Sequence, residues 1–158
     1  MLNACFTGHR KITTNIENLK NDMYFKLERA IINGGLLHYY CGGAIGFDML
    51  AEKTIIELRR KYPQISLNLI LPCNPEEQTL KWSNNDKETY YEVLKQSDSI
   101  KYISNHYYNG CMRDRNIYMI ELADFCFCYY DKNKHNSGTG QTVRSAENKK
   151  IGIWNFYN

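Results

Sequence analysis

The sequence predicts an α/β fold: a Rossmann-like, three-layer arrangement around a mainly parallel sheet of about six strands. Two observations carry this. Apolar runs of strand length alternate along the chain with amphipathic stretches of helical period. Three glycine-bearing segments, Thr7–Arg10, Gly42–Asp48 and Ser137–Thr142, each fall where a strand should end and a helix begin. No repeat, low-complexity tract or linker interrupts the alternation, so residues 1–158 read as one domain.

Leu2 to Phe6 is the first strand. Ile16 to Ile32 follows as a helix, because Leu19, Met23, Leu27, Ala30 and Ile31 recur at spacings of three and four. Asn33-Gly34-Gly35 closes it, as glycine does at a helix C-terminus. Leu36 to Cys41 is the second strand. Phe47 to Lys61 is a helix with Leu50, Ala51, Thr54, Ile55 and Leu58 inward. Ile65 to Leu71 is the third strand, ended by Pro72. Pro75 to Trp82 starts a short helix, and Asp86 to Gln96 is another, with Tyr90, Val93 and Leu94 inward. Ser99 to Ser104, Asp124 to Tyr130 and Ile151 to Phe156 are the last three strands. Helices at Met112 to Ala123 and Thr139 to Lys149 separate them, with a polar loop at Asp131 to Ser137. Right-handed crossovers between parallel strands put helices on both faces.

Composition narrows the function classes. Twenty Lys+Arg against seventeen Asp+Glu give a net charge of only +3, and no long basic run occurs, which argues against nucleic acid as a partner. Met1 to Phe6 is apolar but stops at Gly8, too short for a secretory core or a membrane span. A soluble, cytoplasmic protein without a membrane partner is expected. The six cysteines sit in or beside apolar runs, no C-x-x-C occurs and the four histidines are scattered, so buried reduced thiols are expected and no metal site. Cys126 and Cys128, two apart, share one face of a strand. The thirteen tyrosines suit pocket walls and ordinary packing alike.

The chemistry lies in the glycine segments. Parallel strands would gather all three on one sheet edge, where α/β sheets bind ligands. Glycine lets a backbone approach a phosphate, and a helix N-terminus offers free N–H groups. In Thr7-Gly8-His9-Arg10, Thr7 can bond a phosphate oxygen, Arg10 can fork onto it, and His9 can orient a base or ribose. The same residues also read as a solvated turn. Gly42-Gly43-Ala44-Ile45-Gly46-Phe47-Asp48 is not the dinucleotide fingerprint. Gly43 and Gly46 permit the turn. Asp48 either holds ribose hydroxyls or caps the helix, and Glu52 lies one turn on, on the same face. Ser137-Gly138-Thr139-Gly140-Gln141-Thr142 combines hydroxyls, glycines and helix N–H groups into an anion cradle, and no acid lies between Asp131 and Glu147. Arg113 and Arg115 point about 200° apart on their helix, so one can face the pocket and the other solvent. Trp82 either stacks a base or anchors packing.

From Cys5 to about Ile153 the chain resembles the SLOG-type family of small bacterial and prophage proteins that includes YpsA. The marks are Phe6-Thr7-Gly8-His9-Arg10, Gly43 through Glu52, Leu71-Pro72-Cys73, Trp82, Gly110-Cys111-Met112, Arg115 through Met119, and Gly138 through Arg144. The fold is shared with DNA-processing protein A and with the LONELY GUY phosphoribohydrolases. The resemblance implies a Rossmann-like sheet and a pocket for a nucleotide or an ADP-ribose-like ligand. LONELY GUY enzymes carry G-G-x-G-T-x-x-E. Aligned on Gly138-Thr139-Gly140, this chain has Val143 and Arg144 where acids are expected, with Glu147 one turn later. Cys41 through Asp48 is similar to the S-G-x-A-x-G-x-D segment of DNA-processing protein A, with Ile45 in place of its arginine.

The leading expectation is a sensor or sponge for a nucleotide or an NAD- or ADP-ribose-derived molecule, requiring no cofactor. Thr7, Gly8, His9, Arg10, Gly43, Gly46, Asp48, Trp82, Arg115, Ser137, Gly138, Thr139, Gly140 and Thr142 are its expected ligand-binding residues. The alternative is a nucleotide N-glycosidase, with Asp48, Glu52 or Glu147 supplying acid–base chemistry. Single-stranded DNA binding ranks third, and homo-oligomerisation stays open.

Overall fold

A computed structural model describes residues 2–158. They form β1 (Leu2–Gly8), α1 (Ile16–Gly34), β2 (Leu36–Cys41), α2 (Phe47–Lys61), β3 (Ser66–Leu71), α3 (Pro75–Gln78), α4 (Asn84–Gln96), β4 (Ser99–Tyr102), α5 (Cys111–Leu122), β5 (Phe125–Tyr129), α6 (Gly138–Lys149) and β6 (Gly152–Asn155). The polar loop before α6 contains one 3₁₀ turn at Lys132–Lys134. The six strands form one sheet in the order β4-β3-β2-β1-β5-β6, and every neighbouring pair is parallel. The three-layer α/β architecture follows, with a sheet parallel throughout rather than mainly so.

Strand alternation splits the interior into two cores. Ala4, Phe6, Tyr39, Leu67, Leu69, Leu71, Phe127 and Tyr129 pack with Met23 and Leu27 of α1, Ile55 and Leu58 of α2 and Val93 of α4. Cys5, Ile70, Cys126 and Cys128 face the opposite way, against Met119 and Ile120 of α5 and Val143 and Ala146 of α6. All six cysteines are buried and none forms a disulfide. Helix ends follow local chemistry. Asn15, Asn74, Ser83 and Ser137 each accept an N–H of the first turn they cap, and Gly35 ends α1 at φ 65°. Ser104 and Phe156 were expected inside strands, but β4 stops at Tyr102 and β6 at Asn155. Both are edge strands with a partner on one side only, and β4 ends opposite Leu71, the last residue of β3.

Among the described residues no helix is long and apolar enough to cross a membrane.

Candidate functional site

The chain moves outward from β1 through β2, β3 and β4, then returns to lay β5 on β1's other side. The β1/β5 boundary is therefore the switch point of the sheet, where loops leaving the two strands diverge and open a crevice. Thr7 pairs with Cys128 and Gly8 with Tyr129 at that boundary. A cleft of about 350 Å³ opens above it. Thr7 through Arg10 line one wall and Ser137 through Thr139 another; Phe6, Ala44, Asp48, Met112, Arg115 and Asn116 complete it.

The β1 wall is held by backbone. The His9 N–H donates to the Tyr129 carbonyl at 3.2 Å, and the His9 carbonyl accepts from Phe47 N–H at 3.2 Å. A side chain at Gly8 would strike the Phe47 ring, and one at Gly46 would strike the Arg10 carbonyl. Gly46 also sits at φ 83°, where L side chains are strained. His9 Nε2 accepts the Asp131 N–H at 2.9 Å, which places the ring proton on Nδ1. Burial lowers its pKa, Lys134 lowers it further, and Asp131 opposes this in part, so the ring is neutral. His9 thus ties the β5–α6 loop to the sheet edge. Arg10 is exposed, and its Nη2 rests on Met112 Sδ at 3.3 Å, a weak acceptor for a guanidinium.

Two buried carboxylates shape the β2–α2 loop. Asp48 Oδ2 accepts the Ala44 N–H at 3.2 Å, and Glu52 Oε1 accepts the Gly43 N–H at 3.1 Å. Arg115 donates to the Gly42 carbonyl through Nη1 and to Asn116 Oδ1 through Nε at 2.7 Å. Burial raises the Asp48 pKa to about 6, against the pull of Arg115, the Ala44 N–H and Arg10. Burial pushes Glu52 well above its usual range, and the Asp48 charge adds to this. Burial lowers Arg115, with Asp48 drawing it back up. Asp48, Glu52 and Arg115 are at most 6% exposed.

The α6 wall supplies donors. Ser137 Oγ accepts the Gly140 N–H at 3.1 Å and donates to the Lys134 carbonyl at 2.6 Å, so it is fully engaged. Thr142 Oγ1 donates to the Gly138 carbonyl at 2.8 Å. The Gly138 and Thr139 N–H groups have no acceptor among the described residues. Thr7 and Thr139 are 6% and 7% exposed, and their hydroxyls, which have no partner among the described residues, are still reached by solvent. Both line the cleft.

Of the residues expected at the site, Thr7, Gly8, His9, Arg10, Asp48, Arg115, Ser137, Gly138 and Thr139 come together. Arg115 takes the pocket side of α5 and Arg113 the solvent side. Gly43, Gly46, Gly140 and Thr142 lie behind the lining, where they build its loops. Glu52 is behind it too, spent on the Gly43 N–H. Glu147 is exposed on α6, outside the lining. Trp82 packs edge-on against Tyr90 with ring centroids 5.3 Å apart, also outside it. Met112 and Asn116 are lining residues that sequence reasoning did not single out as ligands. Tyr129 was missed as well: its buried phenol accepts the Thr13 and Thr14 N–H groups, each at 3.1 Å, and pins the loop after Arg10.

The YpsA family model, described as the YspA SLOG family, matches residues 5–154. A UPF0398 protein of Bacillus velezensis is 30% identical over 111 residues, 69% of this chain and 60% of that protein. One of Bacillus pumilus is 26% identical over 121 residues, 75% of this chain and 63% of the relative. One of Bacillus thuringiensis is 26% identical over 144 residues, 90% of this chain and 76% of the relative. The chain spans about 60% of the length of the first two of these relatives. With the family match running over nearly the whole chain, this protein belongs to the YpsA family of SLOG proteins.

Proposed function

We propose that the cleft binds the phosphate-bearing part of a nucleotide or of an NAD- or ADP-ribose-derived molecule, and that the protein acts as a sensor or sponge for it. One observation carries this reading. Two unpaired α6 amides, two unpaired threonine hydroxyls and two arginines converge on one crevice at the switch point. Unsatisfied donors at a helix N-terminus are an anion site. Arg10, whose guanidinium meets only a thioether side chain, is free to exchange it for a phosphate oxygen. The test is calorimetry with AMP and ADP-ribose against adenosine, on wild type and Arg10→Ala. Removing a charge-assisted contact worth about 1.5–3 kcal/mol should weaken the phosphorylated ligands about ten-fold or more and leave adenosine unchanged. Equal losses for both kinds of ligand would make Arg10 structural.

A second reading has its own observation. Asp48 lines the cleft with its pKa raised to about 6, within the range useful to a general acid or base. An N-glycosidase acting on a nucleotide would use it to protonate the leaving base or to assist water at the sugar carbon. Free base released from AMP, NAD or ADP-ribose by wild type, and not by Asp48→Asn, would establish the enzyme over the binder.

A further inference from the structure

The cleft is rich in groups that read phosphate and hydroxyl and poor in groups that read a base. Phe6 is the one benzenoid ring in its lining, and it is fully buried. Its faces are taken by Tyr39 at 5.9 Å and Phe127 at 5.8 Å, both stacked, with Phe47 against it at 6.2 Å. The His9 ring is wedged between Tyr129 at 6.3 Å and Tyr130 at 6.0 Å, and its Nε2 is engaged by Asp131. Trp82 has turned into the Tyr90 ring. The lining therefore offers no open aromatic face for a base. About 350 Å³ also lies near the small end of ligand pockets, which run from roughly 300 to 1,000 Å³.

The polar groups are of two chemical kinds. The Gly138 and Thr139 amides, the Thr7 and Thr139 hydroxyls and Arg10 suit an anion. Asp48, whose Oδ1 makes no hydrogen bond among the described residues while Oδ2 holds Ala44, and the Asn116 amide, whose oxygen is used by Arg115, line the same cleft. An acceptor together with an N–H₂ donor suits sugar hydroxyls, each of which gives one hydrogen bond and takes another. Thr7, on β1, makes the case independent of the helix terminus: it is more than nine-tenths buried, lines the same crevice, and its hydroxyl has no partner among the described residues.

We infer that the site recognises a phosphorylated pentose and is blind to the base, so that any base projects out of the cleft. This rests on the proposed phosphate-binding reading and goes beyond it. The test is calorimetry of the intact protein with ribose 5-phosphate, AMP, UMP, inorganic phosphate and adenosine, repeated on Asp48→Asn. Ribose 5-phosphate, AMP and UMP should bind within about three-fold of one another, since a stacked base would itself add about 5- to 100-fold. Inorganic phosphate should bind at least about ten-fold more weakly than ribose 5-phosphate, and Asp48→Asn should erase most of that difference without weakening phosphate. AMP binding without ribose 5-phosphate, or AMP and UMP differing by more than about ten-fold, would overturn the inference and leave phosphate recognition standing. Phosphate binding as tightly as ribose 5-phosphate would overturn recognition of the sugar. Failure of every phosphorylated compound to bind would overturn the proposed function itself.

Discussion

Replacing Asp48 with asparagine should make the empty protein more stable. Asp48 is 5% exposed, and its pKa in the folded chain is raised from 3.8 to about 6. Burial is the cause, and the attraction of Arg115 and Arg10 and the Ala44 hydrogen bond reduce the shift without cancelling it. Between those two values the folded chain holds a proton that the unfolded chain has released. Stability therefore falls as pH rises through this window. At about 1.4 kcal/mol per unit, the ionised carboxylate costs the fold about 3 kcal/mol at neutral pH. Asparagine has the shape of the protonated acid, and its oxygen can still accept the Ala44 N–H. At about 2–4 °C per kcal/mol for a chain of this size, the melting temperature at pH 7.5 should rise by roughly 6–12 °C. Differential scanning calorimetry from pH 4 to pH 7.5 is the assay. The advantage of the variant should shrink as pH falls through 6 and vanish near 4, where wild type is protonated as well. A variant less stable than wild type at pH 7.5, or a difference independent of pH, would refute the reasoning. In that case the Asp48 charge supports Arg115 more than burial opposes it.

Other perturbations follow from the loop geometry. Gly46→Ala should cost at least about 2 kcal/mol in chemical denaturation, because φ 83° is strained for alanine and the new methyl meets the Arg10 carbonyl. Tyr129→Phe should cost about 1–3 kcal/mol by leaving the Thr13 and Thr14 N–H groups without their acceptor, and should weaken phosphate ligands by loosening the segment after Arg10. Single-stranded DNA should bind weakly and be released by moderate salt in a filter assay, because a surface of net charge +3 neutralises few phosphates.

The fold was legible because its signals are redundant. Each buried strand shows an apolar run, α1 and α2 show spacings of three and four, and Gly35 and Ser137 mark ends that local hydrogen bonding enforces. The second strand, at Leu36–Cys41, and its following helix, at Phe47–Lys61, stand where the sequence placed them. The site was legible in position and less so in role. Glycines suggested close approach of backbone to phosphate, yet Gly8 makes room for Phe47, Gly46 for the Arg10 carbonyl and Gly140 for the His135 carbonyl. Glu52 shares a helix face with Asp48 as its spacing requires, but one turn of helix takes it behind the loop. Trp82 depended on a tertiary contact with Tyr90, eight residues on, that no local pattern encodes. Tyr129 was one tyrosine among thirteen, and only the strand order brings its phenol under Thr13 and Thr14.

The groups that are satisfied and those that are not separate structure from recognition. Ser137, Thr142, Glu52 and Tyr129 all look like site residues by type and position, and all spend their polar atoms on the protein. Thr7 and Thr139 are as deeply buried and spend theirs on nothing within the described chain. Neither hydroxyl is sealed from solvent, so both stay open to a ligand at little cost to the fold. Asp48 stands between the two groups, with one oxygen on Ala44, the other open to the cleft, and a charge that burial opposes. A ligand bringing hydroxyls to Asp48 and negative charge to Arg10 would offset that penalty while using the open donors. Its binding should therefore raise the wild-type melting temperature more than that of Asp48→Asn, which has already shed part of the penalty.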